Sequence, residues 1–109
     1  MKAFDIEFLR RYTFEDPALE KELLELFKAQ LPILVEQIET ATSQSEWHLA
    51  THTLKGSARS VGAPALGEYA LELEQMGIQA DPRRAKLVLR LKDLVAAFSK
   101  AVERVYPSA

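Results

Sequence analysis

Apolar residues along the chain recur at intervals of three and four, and nowhere do they alternate strictly with polar ones over the length of a strand. That spacing is the period of an amphipathic α-helix. The stretch EDPALEKELLELFKAQLPILVEQIETA opens with Asp16 as a candidate N-cap and Pro17 at the first helical position, and Glu20 and Glu22 follow near the positive end of the helix dipole. Its apolar positions Leu19, Leu23, Phe27, Leu31, Leu34 and Ile38 share one face. Pro32 lies inside this pattern, but the periodicity resumes beyond it, which predicts a kinked helix rather than two separate ones.

After Thr42 the polar SQSE supplies a turn and a capping serine, and the next helix is expected from about Glu46 to Val61, where Gly62 stops it. APALGEYALELEQMG restarts with Pro64 near a first helical position, carries Leu66, Ala70 and Leu73 on one face and ends at Gly77. DPRRAKLVLRLKDLVAAFSKAVERVY repeats the Asp-Pro opening, with an apolar stripe of Leu87, Leu91, Leu94, Phe98, Val102 and Val105. Ahead of these, FDIEFLRRY reads as one short helix whose Phe4, Ile6, Phe8 and Leu9 cover an end of the core. Brief connections favour antiparallel neighbours. The expected fold is all-α: an antiparallel up-down four-helix bundle with a short additional N-terminal helix, in a single domain over residues 1–109.

Composition narrows the function. With 109 residues, 48% of them hydrophobic, the chain suits one domain burying about 65% of its unfolded surface. A net charge of -2 leaves no basic field for nucleic acid. The absence of cysteine removes disulfides, thiolate metal sites and cysteine nucleophiles. Asp5, Glu7, Arg10 and Arg11 break the N-terminal segment, so it is no signal-peptide core, and no apolar run approaches the roughly 20 residues that span a bilayer. A cytoplasmic location without membrane contact is the expectation. Met1 and the polar ends suit a free-standing protein, although a domain of a larger hybrid kinase also accommodates them.

On a helical wheel at roughly 100° per residue, Trp47, Ala50, Thr51, Leu54, Ala58 and Val61 fall in one sector, the core face. His48, His52, Lys55, Gly56 and Arg59 fall in a sector roughly opposite, pointing outward. Gly56 costs about 1 kcal/mol relative to Ala in a helix interior, yet it lies one turn beyond His52 on the same face. A missing side chain there opens space beside the imidazole for a partner and a transferring group. Lys55 and Arg59 add the positive charge that suits an anion at the ring. An accessible imidazole beside positive charge is what phosphoryl transfer to nitrogen requires.

The stretch from His52 to Glu74, HTLKGSARSVGAPALGEYALELE, resembles the signature of the histidine-containing phosphotransfer (HPt) domain, the relay module of multistep two-component signalling. The resemblance implies a four-helix core in which His52 accepts a phosphoryl group from a receiver-domain aspartate and passes it to a second receiver. Lys55 would steady the phosphoryl oxygens and Gly56 would give clearance. Glu74, or Gln75 if the register shifts by one, would accept the Nδ1 proton and leave Nε2 as the nucleophile. The receiver-docking rim is expected around Arg59, His48, Pro64, Ala65 and Tyr69. The implied partners are response-regulator receiver domains and a hybrid sensor histidine kinase. The chain should be a monomeric phosphocarrier without cofactor or resident metal, the divalent cation, magnesium, coming with the receiver.

Two other readings use the same residues. A plain helical bundle that binds a partner without phosphotransfer explains the stripes but not the His52, Lys55, Gly56 triple. His48 and His52, four apart, could bind a metal, but no glutamate follows His48 in the metalloprotease arrangement and no third ligand is evident. No phosphate-binding glycine loop or nucleotide motif supports an ATP-dependent kinase.

Overall fold

Side-chain caps set the starts of three helices. In the computed structural model, which describes residues 1–107, Asp5 accepts from the Phe8 amide, Asp16 from Ala18 and Leu19, and Ser43 from Glu46. The helices are α1 (Ile6–Tyr12), α2 (Pro17–Thr40), α3 (Gln44–Ser60), α4 (Pro64–Met76) and α5 (Arg83–Val105), and the described residues contain no strand. Ser43 caps α3, so that helix begins at Gln44, two residues ahead of its expected start at Glu46. α2 runs unbroken through Pro32. The second Asp-Pro does not repeat the first: the Asp81–Pro82 peptide is cis, α5 starts at Arg83, and the Asp81 carboxylate accepts from the Ala85 amide.

The helices form a bundle in which α3 packs most extensively on α4, α2 lies against α3 and α5, and α4 also meets α5. Its centre holds Trp47 and Leu54 from α3, Leu66 and Leu73 from α4, Ile38 from α2, and Leu91 and Phe98 from α5, all at most 1% exposed. Phe98 meets Phe27 and Phe4 edge to face, at 5.3 and 5.6 Å between ring centroids. Each such side chain contributes about 1.5–3 kcal/mol by burial.

The outer stripes keep most of their expected positions: Phe27, Leu31, Leu34 and Ile38 are buried on α2, and Leu91, Phe98 and Val102 on α5. Leu19 is exposed at the start of α2, where Glu20 turns inward to accept from the Tyr106 hydroxyl, and Leu24 and Val35 are buried besides. On α5, Val88 is buried while Leu87 and Leu94 are half-buried and Val105 is exposed. α1 buries Leu9 and part of Phe4 and Ile6, but turns Phe8 outward to stack on Tyr12. No helix among the described residues is long and apolar enough to cross a membrane.

Two connections lock the helix that carries the outward histidines. Gly62 has φ of +77°, and a Cβ there would sit 2.5 Å from the Asp5 carbonyl oxygen. Only glycine lets the N-terminal segment lie across this corner, where the Asp5 amide donates to the Gly62 carbonyl at 2.7 Å. At the other end Arg84 donates to the carbonyls of Ala41, Glu39 and Gln79, and its guanidinium lies 5.6 Å from the Trp47 ring centre.

Candidate functional site

α3 sends one face to the core and the opposite face to solvent, as the wheel requires. Trp47, Ala50, Thr51, Leu54, Ala58 and Val61 are buried, while His48, His52, Gly56 and Arg59 are exposed. α4 approaches closely at Gly67, where a Cβ would come within 3.0 Å of Arg59 Cγ. The Trp47 indole N–H donates to the Leu73 carbonyl across the two helices at 2.8 Å, and this buried bond fixes the register of α4 against α3. Glu74 is the next residue, so the bond that satisfies the core also sets the carboxylate beneath His52.

His52 Nδ1 lies 2.7 Å from Glu74 Oε2, and Lys55 Nζ donates to Glu74 Oε1 at 2.7 Å. A carboxylate only accepts, so in the neutral ring Nδ1 carries the proton and Nε2 keeps its lone pair. The His52 side chain is 60% exposed, against 13% for Glu74 and 16% for Lys55. The nucleophile thus projects from a base that is largely covered. The hydrogen bond from Lys55 holds the Glu74 carboxyl below the ordinary carboxylate range; desolvation opposes this and the His52 hydrogen bond adds to it. The carboxylate can therefore orient the ring without taking its proton.

Beyond its own turn of helix, Gly56 has open space where a Cβ would stand, with nothing within 4 Å. The absence of a side chain there serves no internal packing. Gln75, the alternative partner for His52, is exposed, and the structure gives the contact to Glu74.

The residues expected at a docking rim divide between two faces. Arg59 and Pro64 line a shallow depression with Asp5, Phe8, Gly62 and Ala63. Ala65 and Tyr69 instead line a depression with Glu72, Arg90 and Leu94, and the Tyr69 hydroxyl donates to the Leu87 carbonyl. Tyr69 ties α4 to α5, because positions one turn apart on α4 share the face that meets α5. Phe8, expected to cover the core, instead lies at the surface stacked on Tyr12 with 6.3 Å between ring centroids. His48 stacks on His52 at 5.4 Å between centroids. A third donor stands beside the pair: one ligand atom from each of His48, His52 and Glu74 lies within 4.8 Å of the others. Glu74 is 22 residues from His52, too distant for local spacing to reveal.

Neither curated proteins nor solved structures yield a match to the chain. A family model described as Hpt domain matches residues 22–101. This range runs from the first turns of α2 into the last turns of α5 and contains the histidine, the lysine, the glycine and the glutamate of the cluster. Hpt domains are helical phosphocarriers of two-component phosphorelays that exchange phosphoryl groups with receiver domains and kinases. With most of its length matched and that cluster on the surface of a helical bundle, the chain belongs to the Hpt domain family.

Proposed function

We propose that this chain relays a phosphoryl group between receiver-domain aspartates through His52. The observation that carries the reading is the Nδ1 contact to Glu74, which leaves Nε2 outward above the open surface at Gly56. Nε2 attacks the phosphorus of an aspartyl phosphate; the N–P bond forms as the acyl P–O bond breaks, and that bond's electrons leave with the aspartate carboxylate. The ring gains positive charge as it forms, and Glu74, still accepting from Nδ1, stabilises it. Lys55, held by Glu74 Oε1, is within reach of the phosphoryl oxygens. The reverse step, to the aspartate of a second receiver, returns the lone pair to Nε2.

In this reading α2 to α5 form an antiparallel up-down bundle and the chain acts as one unit, a cytoplasmic monomer and a phosphocarrier rather than a kinase. Receivers dock over α3 with Arg59, Pro64 and Phe8 at one margin and His48 at the other. The divalent cation, magnesium, belongs to the receiver and would neutralise the phosphoryl oxygens there. Mixing the protein with phosphorylated receiver should place an acid-labile, alkali-stable phosphate on it, and none on His52→Gln. No transfer to the wild type, or undiminished transfer to the variant, would sink the reading.

A further inference from the structure

The geometry points to a second use of the same surface: His48, His52 and Glu74 form a binding site for a divalent transition metal of the zinc type. This departs from the expectation that the chain holds no metal of its own. Two imidazoles four residues apart on one helix and a carboxylate from the neighbouring helix make a two-histidine, one-carboxylate donor set. That set suits zinc, cobalt, nickel or copper, and it is a poor match for magnesium or calcium, which take oxygen ligands.

A tetrahedral zinc with bonds of about 2.1 Å holds its ligand atoms about 3.4 Å apart. The three donors are within 4.8 Å of one another, and His48 is exposed, so rotation of its side chain brings them to that separation. Lys55 donates to Oε1 of Glu74 and Oε2 meets His52 Nδ1, so a metal on Oε2 replaces the His52 hydrogen bond while the one from Lys55 remains. The Lys55 ammonium opposes binding, since it lies 2.7 Å from the same carboxylate and repels a cation. With three protein ligands the fourth position remains for water.

The consequence for phosphotransfer rests on the function proposed above. A neutral imidazole has one lone pair on nitrogen and one N–H. A metal on either nitrogen of His52 takes that lone pair and leaves the other nitrogen protonated, so the metal-bound ring has no nucleophile. Metal at His52 therefore blocks phosphorylation of the ring.

Titration of the intact protein with zinc chloride in a calorimeter tests the site. One zinc per chain is expected, weakened roughly tenfold or more in each of His48→Gln, His52→Gln and Glu74→Gln, and tightened in Lys55→Met; magnesium chloride should give no heat of binding. Circular dichroism of each variant confirms that the helices remain. Absent saturable binding, or binding indifferent to His48→Gln, overturns the site. A second arm uses phosphoramidate, which phosphorylates histidine without a receiver: zinc-saturated protein should stay unphosphorylated while zinc-free protein takes phosphate, and excess chelator should restore the reaction. Equal phosphorylation with and without zinc overturns the antagonism. Zinc-free protein that takes no phosphate counts against the phosphotransfer reading, whereas the calorimetry decides the metal site on its own.

Discussion

A Cβ at position 56 would meet nothing within 4 Å beyond its own turn of helix, so Gly56→Ala should raise stability by about 0.4–1 kcal/mol through the unfolded chain. Thermal denaturation checks this. A bulky replacement, Gly56→Gln, should keep the bundle's helicity yet slow transfer from a phosphorylated receiver; a matching loss of helicity would give the glycine a structural role. Glu74 is the other residue at which environment decides behaviour. Its carboxyl is depressed first by the Lys55 hydrogen bond, and a carboxyl depressed by folding stabilises the protein above its unfolded value and ceases to do so as pH falls through its folded one. The cluster should thus persist to lower pH than an unperturbed glutamate would allow, and come apart as pH falls through the lowered folded value. In Lys55→Met the midpoint of Glu74 should move upward, read by carbon-13 NMR of the side-chain carboxyl, and an unmoved midpoint would assign the depression elsewhere. Sequence spacing put His52, Lys55 and Gly56 on one outward face because they share a helix. It could not separate Glu74 from Gln75, because that choice depends on how α4 is seated against α3.

At the level of elements, the junction between α3 and α4 sets the site. Gly62 combines φ of +77° with a neighbour 2.5 Å from any added Cβ, so Gly62→Ala should cost about 1–3 kcal/mol in urea denaturation. Stability equal to the wild type would show that the N-terminal segment moves aside freely. The helix-stopping role of this glycine was readable from the sequence, whereas its close contact with Asp5 was not. Helix boundaries followed the capping residues: Asp16 and Ser43 act locally, through their own side chains on the first amides. The two Asp-Pro openings look alike in sequence and differ in structure, since the second is held in a connection whose path is set by Arg84 reaching the end of α2. Tyr69 illustrates the same limit. Its position beside the motif suggests docking, and its hydroxyl is bound to the Leu87 carbonyl of α5, a contact local spacing does not reveal.

Across the whole molecule, α1 and the residue after α5 meet at Glu20, which is buried, accepts from the Tyr106 hydroxyl and has Arg10 at 3.7 Å. Tyr106→Phe leaves that carboxylate short of a donor and should cost about 1–3 kcal/mol at neutral pH. Burial, then the Glu20 carboxylate, raises the Tyr106 phenol above its ordinary value. A group raised by folding stabilises below its unfolded value, and the contribution disappears as pH rises through the folded one, so stability should decline above about pH 10. Urea denaturation at alkaline pH should show a shallower decline in Tyr106→Phe, with a remainder from Tyr69, which burial and Glu72 also raise. The sequence alone determined the helices, their core faces and the outward histidine, since those depend on periodicity and on residues a turn apart. Only the tertiary structure decided that Glu20 turns inward, that Phe8 turns out, and that Glu74 rather than Gln75 meets His52 and completes a donor set with His48. Each of these depends on the depth and register at which one helix packs on another, a quantity fixed by side chains distant in sequence, such as the Trp47 indole on the Leu73 carbonyl.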